Sequence, residues 1–386
     1  MNNLVGLLKC SEYKLDLILE KFQKLLELIQ FDTNGVRGKT VLLKPNMLGA
    51  YPPEMGITTN PIFVEAAIVL FKELGAKLWL GDSPNGIFPI EEVWEKTGMH
   101  ALCKKYQVEE KPFERSGSIN RQGIQIAKPV LDAEILVSLP KLKTHGLTIL
   151  TVATKNLYGC VPGLVKTTYH KKFLDHFSFS RHLVKIAQLA KPSLHLVDAI
   201  VGMQGNGPSA GDLIKLNVIL AGQDHHLIDE ACCQLVGLNP EHLDTLIAAR
   251  NFKLWKTSNS LKIVGDNLED CKPKSFILPK TYTKGWRDLW ISKFVIEQIM
   301  CKVSIKPKII KDVCVHCGLC VKSCPVQAIT QKDENSVPKI SNKKCIECYC
   351  CHEICPSKAI DLNESFFIKL WRYFSEHRIK KLTEEK

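Results

Sequence analysis

Eight cysteines in two runs constrain this chain more than any other feature. Cys314-x-x-Cys317-x-x-Cys320-x-x-x-Cys324-Pro325 recurs, 31 residues later, as Cys345-x-x-Cys348-x-x-Cys351-x-x-x-Cys355-Pro356. The repetition extends beyond the thiols. Pro307-Lys308-Ile309 recurs as Pro338-Lys339-Ile340, and Ala328-Ile329 as Ala359-Ile360, at the same offset. An internal repeat of this kind implies two equivalent half-units related by a pseudo-two-fold axis. Three thiolates at successive two-residue spacings wrap three corners of an iron–sulfur cube from one short loop. The fourth, immediately before proline, reaches across to the other cube. Two [4Fe–4S] clusters are therefore expected, the first on Cys314, Cys317, Cys320 and Cys355 and the second on Cys345, Cys348, Cys351 and Cys324. Such a chain handles electrons one at a time.

Two other uses of cysteine fit less well. A structural zinc site closes four ligands into one tetrahedron, commonly from paired Cys-x-x-Cys units. A disulfide framework needs an oxidising compartment. The halves differ locally: Gly318 is matched by Tyr349, and Cys350 adds a thiol beside Cys351. Tyr349 is expected to pack over its cluster and limit water access, and Cys350 to be a bystander, with a ligand swap as the alternative. Residues 306–362 resemble the bacterial-type two-cluster ferredoxins. The resemblance implies a small α+β ferredoxin-like domain, each half a short strand, a ligand loop, a short helix after the fourth Cys and a return strand.

At 386 residues the chain exceeds one ordinary domain. Its 45% hydrophobic and 24% charged content belong to a globular protein. The net charge of +12 is spread along the chain. It is either a solvated basic surface or an attraction to an acidic redox partner, an anionic small molecule or an anionic membrane surface. No stripe of Arg and Lys interleaved with aromatics marks a nucleic-acid site. Of sixteen Cys, the eight outside the runs show no second framework and read as small buried hydrophobes. Lys9, Glu12, Lys14 and Asp16 interrupt the N-terminus, so no signal peptide is expected. No apolar run reaches spanning length. A reducing cytoplasm is the expected setting.

Residues 1–280 alternate between strand and helix patterns. Strands are predicted at 40–43, 77–80, 135–139, 194–197 and 216–220. Helices are predicted at 15–29, 182–189 and 227–235. Another begins at Asn60-Pro61, a cap followed by a proline suited to the first position, and ends at Gly75. The alternation predicts an α/β domain, a mostly parallel sheet with helices on both faces. Two amphipathic helices are predicted outside it. One spans 281–305, with Trp286, Trp290 and Phe294 on one face. The other spans 363–386, with Phe367, Leu370, Trp371 and Phe374. They either dock the 306–362 domain onto the α/β domain or meet a membrane surface or partner.

In open α/β sheets, ligands bind beyond the carboxyl ends of strands. Polar peptides follow four predicted strands and suggest a rim of Lys44, Asn46, Asp82, Lys141, Lys143, His145 and Asp198. Lysines there suit a carboxylate or phosphate. Lys141, Lys143, His145 and Asp82 are the candidate catalytic residues, with Lys155, Asn156, Lys166 and His170 continuing the polar character. His145 or His170 is the candidate proton donor. Each has a plainer reading as a solvated or core side chain. Gly202–Gly211 is either a tight loop or a set of amides for an anion. No dinucleotide fingerprint, phosphate loop or nucleophile elbow is present.

These peptides resemble the family known as domain of unknown function 362. The carrying residues are Lys44-Pro45-Asn46, Gly81-Asp82-Ser83-Pro84, Leu139 to His145, Lys155-Asn156-Leu157-Tyr158-Gly159, Pro162-Gly163 and Gly202-x-x-Gly205-Asn206-Gly207-Pro208. Cys348 to Glu353 is similar to the ferredoxin fused to many members. The resemblance implies an iron–sulfur protein of prokaryotic type and assigns no reaction. Three readings stay open. One is an oxidoreductase relaying electrons through two clusters to an anionic substrate or cofactor at the rim. Another is a dedicated carrier whose α/β domain docks a redox partner. A third has a non-redox enzyme whose clusters sense redox state.

Overall fold

The computed structural model describes residues 3–173, 175–256, 261–282 and 305–363. The chain divides into two compact units, Met1–Ile277 and a second beginning at Leu278. The predicted amphipathic helices at 281–305 and 363–386 lie outside the described residues but for their outermost positions.

The first unit is built on a ten-stranded sheet. Its strands are β1 (Leu4–Lys9), β2 (Thr40–Pro45), β3 (Lys77–Leu80) and β4 (Glu109–Glu110), with β5 (Ser118–Arg121) and β6 (Ile124–Ala127) forming a separate hairpin. There follow β7 (Ile135–Leu139), β8 (Lys141–His145), β9 (Ile149–Thr151), β10 (Leu194–Gln204), β11 (Asp212–Gly222) and β12 (Lys262–Gly265). The path runs β12-β1-β11-β10-β7-β2-β3-β4, with β8 beside the far half of β10 and β9 beside β8. β10, β7, β2, β3 and β4 are mutually parallel, whereas β11 is antiparallel to both β10 and β1.

Alternation along the central strands shows why helices cover both faces. Val41, Leu43, Val137 and Leu139 point into one core with Phe22 and Leu25 of helix Leu15–Leu28 and Phe63 and Ala67 of helix Pro61–Glu73. Leu42 and Leu136 point the other way, against Phe179, Leu183 and Ile186 of helix His176–Ala190. Side chains of successive strand residues leave opposite faces, so a strand buried on both sides is apolar at every position. Asn60 caps its helix as expected, its side chain accepting the Ile62 N–H at 2.9 Å ahead of Pro61.

β8 departs from expectation. Pro140 to His145 reads as a loop after β7, but Lys141–His145 is a buried strand. It lies parallel to β10, with Lys141 beside Asp198 and Lys143 beside Met203, and antiparallel to β9. Pro140 supplies a carbonyl that accepts the Asp198 N–H at 2.9 Å, and the strand resumes past it. Two lysines and a histidine in five residues hide the strand from any hydrophobic pattern.

In the second unit β13 (Lys306–Ile309) pairs with β16 (Ile360–Asn363), and β14 (Ile329–Thr330) with β15 (Lys339–Ile340), both antiparallel. The opening strand of each half thus pairs with the closing strand of the other. The short helices Leu319–Ser323 and Cys350–Ile354 contain the third Cys of each run and end before the fourth, instead of following it. The reason is Pro325 and Pro356, which disfavour helical geometry at the preceding cysteine.

Candidate functional site

Interleaved strands bring the cysteines together in crossed sets. Cys314, Cys317, Cys320 and Cys355 line one cavity of about 320 Å³, walled by Ile309, Val315, Pro338 and Ile360. Cys324, Cys345, Cys348 and Cys351 line a second of about 310 Å³, walled by Pro307, Ile329, Ile340 and Tyr349. The backbones match through the 31-residue offset. His316 and Glu347 have φ of 58° and 56°, Gly318 and Tyr349 of 69° and 61°, and Gln327 and Lys358 of 52° and 54°. Ala328 N–H donates to Cys324 Sγ at 3.1 Å, and Ala359 N–H to Cys355 Sγ at 3.2 Å. Four thiols converging in an apolar-walled hollow, with an amide aimed at the fourth sulfur, are the donor set that a [4Fe–4S] cube takes. Tyr349 is buried at the second cavity, and its hydroxyl donates to the Ile305 carbonyl at 3.0 Å.

In the first unit, the strand ends collect the expected lysines and carboxylates but bury them. Lys44, Asp82, Lys141, Lys143, His145 and Asp198 all belong to the interior. Lys44 Nζ lies 2.7 Å from Asp82 Oδ1, and Asp82 Oδ2 accepts the Met47 N–H at 2.7 Å. Lys141 Nζ lies 2.8 Å from Asp198 Oδ2 and donates to Tyr13 Oη at 2.7 Å. Burial lowers the Lys141 pKa, against the pull of Asp198. Burial, then the Asp198 charge, raises that of Tyr13. Lys143 Nζ donates to Asn46 Oδ1 at 2.9 Å and to the Ile57 carbonyl at 2.5 Å. Asn46 Nδ2 donates to Asn156 Oδ1 at 3.1 Å, and Asn156 Nδ2 to Ser138 Oγ at 3.0 Å. The rim is thus a connected polar network under the surface.

A second cluster adjoins it. Lys166 Nζ donates to the Ser83 carbonyl, to Ser83 Oγ at 3.0 Å and to the Pro84 carbonyl at 2.7 Å. Ser83 Oγ in turn donates to Glu114 Oε1 at 2.5 Å. Burial brings the Lys166 pKa down to about 8, against the pull of Asp82 and Glu114. A lysine so placed changes charge close to neutral pH. Gly159 makes this closeness possible. A Cβ there would stand 2.1 Å from Asp82 Oδ1 and 2.6 Å from Lys44 Nζ.

The two candidate proton donors separate. His145 Nδ1 accepts the Leu147 N–H at 3.0 Å, which leaves the ring hydrogen of its neutral form on Nε2. His170 stacks on Phe179 with ring centroids 4.7 Å apart, and burial takes its pKa down to about 3. It is a neutral aromatic ring at physiological pH, not an acid. The amides of Gly202–Gly211 are used internally: Gly205 N–H reaches the Ile277 carbonyl at 2.6 Å, and Gly207 N–H reaches Thr144 Oγ1 at 3.1 Å. Tyr13 and Glu114 were not legible as site residues. Tyr13 is 185 positions from Asp198, and no local motif joins them.

Residues 41–234 match the family described as "Domain of unknown function (DUF362)". Residues 306–356 match a "4Fe-4S dicluster domain". A thylakoid-associated protein of Synechocystis is 30% identical over 319 residues, covering 76% of this chain and 97% of its own. Two solved structures align more loosely. The lactate racemase apoprotein of Thermoanaerobacterium thermosaccharolyticum shares 13% identity, with a TM-score of 0.40 over 61% of this chain and 57% of its own. A structural-genomics protein of Thermotoga maritima shares 15%, with a TM-score of 0.34 over 51% and 52%. Among the described residues, no helix is long and apolar enough to cross a membrane.

Proposed function

We propose, for a chain that belongs to the domain-of-unknown-function 362 family and ends in a 4Fe-4S dicluster domain, that it is an oxidoreductase relaying electrons to an anionic substrate or cofactor in its first unit. The observation that carries this reading is the pair of cavities, each lined by three cysteines of one run and the fourth of the other. Cys314, Cys317, Cys320 and Cys355 would hold one cube, and Cys345, Cys348, Cys351 and Cys324 the other. When bound, such clusters supply one-electron chemistry. Lys143 and His145 then orient a carboxylate or phosphate, and Lys166 holds or releases a proton at Nζ. Lys141 and Asp82 fix the network through Asp198 and Lys44. A reducing cytoplasm is part of this proposal.

Protein reconstituted anaerobically should hold about eight iron and eight sulfide per chain, as two four-iron cubes require. Cys324→Ala should lose the cluster of Cys345, Cys348 and Cys351, although it lies in the first run. Loss of the other cluster would refute the crossed assignment. Reduced protein should pass electrons to a carboxylate- or phosphate-bearing acceptor, and Lys143→Met should slow that step.

A second reading, a dedicated carrier whose first unit docks a redox partner, draws on one observation. Lys44 and Lys141 are buried and neutralised by Asp82 and Asp198. If reduced protein keeps its electrons before every such acceptor yet passes them to a protein, the carrier reading holds.

A further inference from the structure

The two halves of the dicluster domain are alike in backbone and unlike in what they show to solvent. Six large hydrophobic side chains are exposed among the described residues, and three of them, Ile310, Val313 and Val315, fall within six residues in and around one turn of the first half. The turn is a short 3₁₀ segment, Lys311–Val313. It is anchored by the Ile310 N–H, which donates to the Ala359 carbonyl at 2.7 Å. Val315 is 60% exposed and also lines the cavity of Cys314, Cys317, Cys320 and Cys355. Cys317 is the exposed member of that set. The equivalent positions of the second half carry Ser341, Lys344 and Ile346 in place of Ile310, Val313 and Val315. There Ile346 is half-buried, and Tyr349 closes the wall.

Hydrophobic side chains scattered singly need no explanation, whereas a contiguous exposed group marks an interaction site. One member of this group, Val315, lines the cavity to which the exposed Cys317 belongs. Lys308 and Lys311 are exposed in the same stretch and Lys322 on the helix that carries Cys320, with Asp312 and, opposite Lys308 in the strand pair, Asp361 as the acidic neighbours. We infer that Ile310, Val313 and Val315 form the docking face of a one-electron carrier protein, whose contact surface has an apolar centre and a carboxylate rim. The inference rests on the two-cluster reading. Electrons then pass through the first cavity, and the second lies behind it. Charge complementarity favours this occupant. Unlike charges around a small contact speed encounter and make it salt-dependent, and electron-transfer encounters use small interfaces.

The test uses the full chain, anaerobically reconstituted and reduced, mixed in stopped flow with flavodoxin as an acidic acceptor, cytochrome c as a basic one and methyl viologen as a small one. The flavodoxin rate should exceed the cytochrome rate at low salt and fall as salt rises. Ile310→Ser/Val313→Ser should slow flavodoxin about tenfold and leave methyl viologen exchange and iron content unchanged. Lys311→Glu, an exposed change that needs no repacking, should slow flavodoxin likewise. Leu213→Ser, exposed in the first unit, should do nothing. A flavodoxin rate indifferent to these variants, or a faster rate with cytochrome c, overturns the inference. So do self-association or binding to anionic vesicles that depends on the patch while the rate does not. Wild-type protein without iron and sulfide would instead sink the two-cluster reading itself.

Discussion

Lys141 Nζ sits 2.8 Å from Asp198 Oδ2, with the two side chains 1% and 0% exposed. The pair is a consequence of strand register, because β8 lies parallel to β10 with these residues side by side. Tyr13 Oη joins both partners, donating to Asp198 Oδ1 at 2.7 Å and accepting from Lys141 at 2.7 Å. Asp198 Oδ2 also accepts the Asn60 N–H at 3.0 Å. One buried ion pair therefore ties the start of helix Leu15–Leu28, strands β8 and β10 and the cap of helix Pro61–Glu73.

Removing one partner should cost far more than removing both. Lys141→Met leaves an uncompensated carboxylate in the interior, at a cost of about 3–5 kcal/mol. Lys141→Met/Asp198→Leu should recover much of that. Tyr13→Phe should cost about 1–3 kcal/mol, the penalty for leaving buried polar partners unsatisfied. Urea unfolding followed by circular dichroism orders the three. A double variant as unstable as the single one would show that the pair itself is not the cause.

Lys166 predicts a pH window. Burial lowers its folded pKa to about 8 from an ordinary value of 10.5. Between these values the unfolded chain binds more protons than the folded one, so stability rises with pH across the window and is flat below it. Lys166→Met should remove this part of the slope. Thermal midpoints of wild type and variant, compared between pH 7.5 and 10, check the sign.

Gly159→Ala should act as a wedge. With the new Cβ 2.1 Å from Asp82 Oδ1, the Lys44–Asp82 contact has to open. Overpacking of this kind costs about 1–3 kcal/mol. The loss should shrink when Asp82→Ala is already present, because the clashing oxygen is then gone. Equal losses in both backgrounds would place the damage elsewhere.

Tyr349 holds a left-handed φ of 61° where the other half has Gly318 at 69°. Such a conformation costs a non-glycine residue about 1–2 kcal/mol. Tyr349→Gly should relieve that strain and open the second cavity. In air, the cluster bound by Cys345, Cys348 and Cys351 should then bleach faster, and the other at its former rate. Following the visible absorbance with iron analysis separates these outcomes.

Much of the fold was legible because it rests on short-range rules. The apolar runs of β2, β3 and β7, the Asn60 cap and the 31-residue repeat are patterns within a few turns of chain. β8 was not legible. Lys141, Lys143 and His145 are polar in sequence, and partners such as Asp198, Tyr13, Asn46 and Ile57, brought from distant segments, make the burial of the lysines tolerable. For the same reason nothing local marks the packing of His170 against Phe179 and Tyr158.

The sequence alone determined that the chain carries a 4Fe-4S dicluster domain, since three thiols at two-residue spacings on one short loop can meet around one cube. It also determined the two-half architecture of the dicluster domain and the parallel α/β framework, through periodicity. Tertiary structure decided the charge state and accessibility of the lysine network, and which half of the dicluster domain turns its apolar side chains to solvent. Those properties depend on dielectric surroundings and on partners dozens to hundreds of residues away, and no local pattern encodes them.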